Sequence, residues 1–149
     1  MRFLGVDYGH RRVGLAVSDP LGMIAHPLEI LEVESPEEAA RRVADAASER
    51  EVGEIVLGLP VGLDESETQK AREVLEWKEL LEAETDLPVT TWDERLSTAQ
   101  AERHLRETGW SQKKRRSRVD MVAAQIILQS FLDARSKRPG TQDEPPPRG

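Results

Sequence analysis

Short blocks of apolar residues, separated by polar corners, open the chain and predict a β-hairpin. Apolar runs at residues 3–6 and 13–17 flank a polar corner that contains Gly9. Two β-forming runs around such a corner are typical of a hairpin. The first run is apolar on both faces, as expected of a central strand that is covered on both sides. The pattern therefore predicts a hairpin whose first strand lies in the middle of a sheet.

The later apolar blocks predict further strands and four helices. Apolar runs predict strands at 24–31, 54–60 and 87–92, and Pro27 indicates that the first of these is an edge strand. Apolar residues at helical spacing predict helices from Ser35 to about 52, from the polar loop 62–68 to about 84, from Ser97 to 109, and from about 117 to 135. The order βββ-α-β-α-β-α-α predicts an α/β protein, with a mixed five-stranded sheet flanked by helices on both faces.

Composition indicates one domain with a polar tail. The 149 residues are expected to form a single domain over 1–135, followed by a disordered tail over 136–149. The chain has no cysteine, which excludes disulfides and thiolate metal sites. No apolar run is long enough to span a membrane and no secretory signal precedes the first strand, so we expect a cytoplasmic protein. The net charge of −7 argues against broad binding to nucleic acid but leaves room for a local basic surface.

Acidic residues stand at the ends of predicted elements. Asp7 closes the first strand, Asp93 and Glu94 close the fifth, and Asp120 opens the last helix. Ligands of open α/β sheets collect at the carboxyl ends of the strands, so Asp7 and Glu94 are expected to converge there. Two alanines one turn after Asp120 let the last helix approach the sheet closely. The pattern therefore predicts three carboxylates at one edge of the sheet.

Three neighbouring carboxylates repel one another unless cations lie between them. Because neighbours in an extended segment point to opposite sides, only one of Asp93 and Glu94 should face the site, and we favour Glu94. Mg²⁺ takes oxygen ligands, and two such ions about 3.5–4 Å apart stabilise both oxygens of a phosphodiester displacement. We therefore predict Asp7, Glu94 and Asp120 as catalytic residues and as ligands of one or two Mg²⁺ or Mn²⁺ ions.

Each acid also has a purely structural interpretation. Asp7 can cap the hairpin turn or pair with a neighbouring arginine, and Asp93 or Glu94 can pair with Arg95. Asp120 can simply complement the dipole of its helix. The hypothesis of a metal site depends on the conjunction of the acids rather than on any one of them.

A run of basic residues immediately before Asp120 is the second chemical signal. Such a run is either a solvated loop or a surface that draws an anionic polymer toward the acids. Contacts to phosphates supply affinity and position without reading sequence. The basic residues predicted to bind nucleic acid are Arg12, Arg95, Lys113, Lys114, Arg115 and Arg116.

Four short motifs stand in order along residues 1–135. They are Asp7-Tyr8-Gly9-x-x-Arg12-x-Gly14-x-Ala16-x-Ser18-Asp19, Gly58-Leu59-Pro60, Asp93-Glu94-Arg95-Leu96-Ser97-Thr98 and Asp120-x-x-Ala123-Ala124-x-x-Ile127-Leu128. Together they resemble the motifs of the YqgF family. This is a family of bacterial proteins similar to Holliday-junction resolvases and regarded as nucleases of pre-16S ribosomal RNA.

The resemblance implies a ribonuclease-H-like fold and metal-dependent hydrolysis of phosphodiesters that leaves a 5′ phosphate. It implies maturation of the 5′ end of small-subunit ribosomal RNA, with Asp7, Glu94 and Asp120 as the metal-binding acids. The chain departs from the family where Gly62 stands in place of the usual asparagine, so contacts of that loop with substrate are not carried over.

Other functions remain open at this point. The substrate can be structured RNA or branched DNA, and the protein can be a monomer or a homodimer. A nucleic-acid-binding module without catalysis would use the basic run but not the acids. The turn after the first strand also resembles the phosphate-binding turn of actin-like kinases, but those enclose their nucleotide between two such domains and this chain has room for one.

Overall fold

The structure is a computed structural model that describes residues 1–61, 64–96 and 119–137, with the backbone alone at 65–67, 119–121 and 137. The predicted helix from Ser97, the basic run, Gly62 and residues 138–149 lie outside the described residues. The described elements are β1 (Phe3–Tyr8), β2 (Arg12–Ser18), β3 (Ala25–Glu32), α1 (Pro36–Glu49), β4 (Glu54–Leu59), α2 (Glu65–Glu84), β5 (Val89–Asp93), a 3₁₀ turn (Glu94–Leu96) and α3 (Val119–Lys137).

The strands form one mixed sheet with β1 at its centre. The strand order is β3-β2-β1-β4-β5. The pairs β1/β2 and β2/β3 are antiparallel, whereas β1/β4 and β4/β5 are parallel. The predicted mixed five-stranded sheet, its central first strand and the edge position of the strand that contains Pro27 are therefore confirmed.

Helices cover both faces of the sheet, as predicted. Successive residues of a strand point to opposite faces. Leu4 and Val6 of β1 therefore pack in a core with α1 and α2, whereas Phe3 packs in a second core with α3. Asp7 has the same parity as Phe3 and so belongs to the α3 face of the sheet.

The first helix begins where the sequence predicts and ends earlier. Ser35 caps it, because its Oγ accepts a hydrogen bond from the backbone N–H of Glu38 at 3.0 Å. The predicted end near residue 52 is wrong, since α1 ends at Glu49. Glu51 adopts a left-handed conformation with φ of 57°, which turns the chain out of the helix two residues before Gly53.

The remaining boundaries shift by only a few residues. β5 begins at Val89 rather than residue 87, and α3 continues to Lys137 rather than ending at 135. None of the helices in the described part of the chain has the length and apolar character required to cross a bilayer.

Candidate active site

A cavity of about 370 Å³ opens at the edge of the sheet where β1 and β4 end. It lies at the carboxyl ends of two parallel strands, the usual position of a ligand site in an open α/β sheet. Both faces of the sheet contribute to its walls, through α2 on one side and α3 on the other. It is lined by Asp7, Tyr8, Gly58, Pro60, Lys70, Val74, Glu94, Ala123, Ile126 and Ile127.

Asp7 and Glu94 share this cavity because a glycine lies between them. Val6 pairs with Leu57, so the next position along β1 places Asp7 beside Gly58. A Cβ atom on Gly58 would stand 3.2 Å from Oε2 of Glu94. The carboxylate of Glu94 therefore packs over Gly58, in the space that a side chain at this position would fill.

The 3₁₀ turn that carries Glu94 is tied at both ends. Asp93 accepts hydrogen bonds from the backbone N–H of Arg95 at 2.8 Å and from its guanidinium group at 2.8–3.2 Å. The hydrogen bonds from the Arg95 side chain hold the pKa of Asp93 below its usual value. At the other end, Ser130 of α3 donates to the carbonyl oxygen of Leu96 at 2.7 Å. Glu94 therefore lines the cavity while its neighbour Asp93 is engaged with Arg95.

Replacing Ser130 by alanine tests the tie between α3 and this turn. The hydroxyl group of Ser130 is buried, donates to Leu96 and accepts from Nε1 of Trp92 at 3.0 Å. Its removal leaves two partners without a hydrogen bond, so we expect the free energy of unfolding to fall by about 1–3 kcal/mol. Urea denaturation measures the change. Ser136→Ala is the matched control, because that exposed hydroxyl donates within the same helix, and an equal effect of both substitutions would contradict the prediction.

Helix α3 approaches the sheet closely over Gly5. A Cβ atom on Gly5 would stand 2.7 Å from Cβ of Leu128 and 3.0 Å from the carbonyl oxygen of Ala124. The helix backbone therefore lies directly on β1. The close approach expected from small residues is present, and the glycine on the strand contributes to it.

The contacts along β1 also fix the direction of α3. The ring of Phe3 lies 5.5 Å from the ring of Phe131, and Gly5 meets the segment that contains Ala124 and Leu128. Helix residue numbers thus fall as strand residue numbers rise. Continuing this register brings Asp7 level with the first turn of α3, where Asp120 stands three residues before the cavity-lining Ala123.

The remaining predicted site residues are Asp120 and the basic residues, and only some of their side chains are described. Arg12 is exposed at the start of β2, and Arg95 is engaged with Asp93 and exposed over 62% of its side chain. The side chain of Asp120 and the residues Lys113–Arg116 lie outside the part of the chain that the structure describes. Where side chains are described, no group of three or more carboxylates or histidines is suited to hold a metal ion. The predicted set of three acids is therefore not tested and stays a prediction.

Tyr8 and Lys70 line the cavity but were not among the predicted site residues. Burial, followed by the charges of Glu73 and Glu37, raises the pKa of Tyr8, so its hydroxyl group stays protonated at neutral pH. Lys70 comes one helical turn before Val74 and two turns before Trp77, both buried. This spacing is visible in the sequence and would have placed Lys70 on the same side of α2 as its buried residues.

Comparison with solved structures defines the class of fold. The chain is similar to RuvC of Thermus thermophilus in complex with a Holliday junction substrate, with a TM-score of 0.64, 16% sequence identity, and coverage of 91% of this chain and 96% of that one. It is also similar to the Holliday junction resolvase of fowlpox virus, with a TM-score of 0.52, 12% identity, and coverage of 90% and 99%. The fold is therefore the ribonuclease-H-like fold of RuvC-type resolvases, as the motifs implied.

Sequence comparison narrows this class to a family. Residues 1–134 match the family model of RuvX, described as Holliday junction resolvase, and the chain belongs to that family. Relatives named "Putative pre-16S rRNA nuclease" include one from Halothermothrix orenii, 43% identical over 140 residues, which cover 94% of this chain and 100% of the relative. Another, from Koribacter versatilis, is 45% identical over 137 residues, with coverage of 90% and 88%. The resemblance to the YqgF family is thus confirmed.

Proposed function

We propose that the protein is a divalent-metal-dependent nuclease that hydrolyses phosphodiester bonds in structured RNA, and that it matures the 5′ end of pre-16S rRNA in the cytoplasm. The observation that carries the proposal is that Asp7 of β1 and Glu94 of the 3₁₀ turn after β5 line one cavity at the carboxyl edge of a ribonuclease-H-like sheet. The names of its relatives support the RNA substrate.

The donor set of this cavity suits Mg²⁺ or Mn²⁺. Carboxylate oxygens are hard ligands, and the absent side chain at Gly58 lets the Glu94 carboxylate approach β4 at the position beside Asp7. Asp7 and Glu94 would hold the metal together with Asp120. Asp120 stands in the first turn of α3, and the register described above brings this turn level with Asp7. A bound divalent ion in such a site activates water and stabilises charge on the phosphate.

The chain's own residues prepare the cavity for a phosphodiester. Ile126 and Ile127 of α3 and Val74 of α2 give the walls apolar surfaces, and charges act more strongly on one another beside such surfaces than in bulk water. Tyr8 contributes to the wall on the α2 side, where its ring stacks on Trp77. The basic residues Lys113, Lys114, Arg115 and Arg116, together with Arg12 and Arg95, would supply contacts to the phosphates of a longer nucleic acid.

Branched DNA is the second candidate substrate. It is favoured by the family description, and the solved RuvC complex with a similar fold holds a Holliday junction. A junction cutter needs two active sites and hence a homodimer, whereas an RNA trimmer does not need a second copy. The substrate and the oligomeric state are therefore linked.

One experiment tests the activity and the choice of substrate. Structured RNA that contains the 5′ precursor segment and a four-way DNA junction are each incubated with wild type and Asp120→Asn, in Mg²⁺ and in Mn²⁺. We expect metal-dependent cleavage of the RNA by wild type, none by the variant, and 5′-phosphate products. Cleavage of the junction alone would favour the resolvase function. Binding without cleavage under every condition would favour a non-catalytic module.

A further inference from the structure

We propose that Lys70 of α2 contacts a phosphate of the substrate strand beside the cleaved bond and thereby positions the strand over Asp7 and Glu94. This inference rests on the proposed function and adds a substrate contact that the motifs do not contain. Lys70 lies in the first half of α2, outside the four motif segments.

Lys70 brings positive charge to an otherwise acidic cavity. Among the described residues that line the cavity, Asp7 and Glu94 are acidic and Lys70 alone is basic. The two acids belong to the α3 face of the sheet, whereas Lys70 reaches the cavity from α2 on the opposite face. A nucleic-acid strand that crosses the edge of the sheet above the acids therefore meets Lys70 on the α2 wall of the cavity.

The position of Lys70 relative to Asp7 is fixed by the core. Asp7 and Tyr8 are neighbours in β1, and the ring of Tyr8 stacks on Trp77 with centroids 4.3 Å apart. Trp77 lies two turns after Lys70 on the same helix face, is 2% exposed, and donates from Nε1 to the carbonyl oxygen of Pro36 at 3.0 Å. One stacked pair thus joins the acidic side of the cavity to the helix that carries the lysine.

A second contact holds the same part of α2. Nε2 of His10, in the turn after β1, lies 3.0 Å from Oε1 of Glu73. Glu73 follows Lys70 by three residues, so the contact with His10 lies within one helical turn of the lysine. Together with the stacking of Tyr8 on Trp77, it links α2 to both ends of the corner that follows Asp7. The part of α2 that carries the exposed side chain of Lys70 is therefore held against the corner after β1.

Phosphate is the ligand that this arrangement fits. Carboxylates repel a phosphodiester, and a cation on the facing wall of the cavity offsets that repulsion where the nucleic-acid strand passes. Lysine binds phosphate as a point charge, which fixes the register of a strand without reading its sequence. Lys70 is accordingly a positioning residue for the strand rather than a ligand of the metal.

The salt dependence of binding tests this role directly. Binding of the structured RNA is measured without divalent metal between 50 and 200 mM salt, for wild type, Lys70→Gln and Lys70→Arg. Loss of one phosphate contact lowers the slope of log affinity against log salt by about 0.9 in a duplex region and about 0.7 in a single strand. For Lys70→Gln, we therefore expect the ratio of affinities at 50 and 200 mM to shrink about 3-fold. Lys70→Arg keeps the charge and should keep the wild-type slope.

Lys78→Gln is the matched control. Lys78 lies on the same helix, pairs with Glu82 at 2.8 Å and does not line the cavity, so its replacement should leave the slope unchanged. Equal slopes for Lys70→Gln and wild type would overturn the inference, while cleavage by wild type would still support the proposed function. A wild-type protein that neither binds nor cleaves nucleic acid would overturn both.

Discussion

Replacing Asp7 by asparagine is expected to lower the rate of cleavage by about 10²–10³-fold, as for the loss of one preorganised electrostatic partner. Binding of nucleic acid is expected to stay unchanged or to become tighter. The substitution keeps the shape of the side chain and removes its charge. Under the proposed function, the loss of charge would weaken the hold on a divalent cation and would also remove repulsion toward the phosphate. The two effects separate cleavage from binding, and a binding module without catalysis would show no such separation.

The measurement combines single-turnover cleavage with binding in the absence of divalent metal. Asp45→Asn makes the same chemical change on the exposed side of α1, away from the cavity, and should leave both quantities as in wild type. Unchanged cleavage by Asp7→Asn would contradict the assignment of Asp7 to the active site. Loss of binding together with cleavage would instead indicate that Asp7 holds the fold or the substrate.

The sequence predicts the sheet well because its strands carry unambiguous patterns. A run that is apolar on both faces requires cover on both sides, which places β1 at the centre. Pro27 cannot donate to a ladder and is found in the edge strand, and Ser35 supplies the cap that begins α1. These signals are local, so they need no knowledge of the partner elements.

The sequence is less informative where an unusual backbone conformation or a contact between distant segments decides the position of a residue. The left-handed conformation of Glu51 ends α1 early, although no glycine stands there to indicate it. Alternation along a strand predicts that only one of Asp93 and Glu94 faces the site, but alternation alone does not say which one. It also ends at Glu94, where the chain turns into a 3₁₀ helix. Lys70 lines the cavity from a helix that is held in part by the stacking of Tyr8 on Trp77, a contact between segments far apart in the chain.

The role of Gly5 illustrates the same limit and leads to the second large expected effect. In the sequence Gly5 is one more small residue in an apolar strand. In the structure it is a place where the backbone of α3 packs directly on β1, beside Ala124 and Leu128. The distance between the element that carries Asp7 and the element that carries Asp120 therefore depends on the absence of a side chain at this position.

Replacing Gly5 by alanine is expected to lower both stability and cleavage. The new methyl group would meet backbone and Cβ atoms of α3 at 2.7–3.0 Å, which cannot yield by rotating a side chain. The helix must move instead, so we expect a loss of about 1–3 kcal/mol in the free energy of unfolding, as for other overpacked cores. A displacement of about 1 Å between catalytic groups costs about 10²-fold in rate. Urea denaturation and single-turnover cleavage at a temperature where the variant is folded measure the two effects.

Gly53→Ala separates this effect from the general cost of replacing a glycine. A methyl group at Gly53 would meet the thioether end of Met1, which is 57% exposed and free to rotate away. This variant should therefore retain wild-type stability to within about 0.5 kcal/mol, as for other surface changes, and wild-type cleavage. If Gly5→Ala folds and cleaves as well as Gly53→Ala, then α3 tolerates a shift away from β1. The active site would then not depend on its close approach, and the register that brings Asp120 level with Asp7 would lose its physical basis.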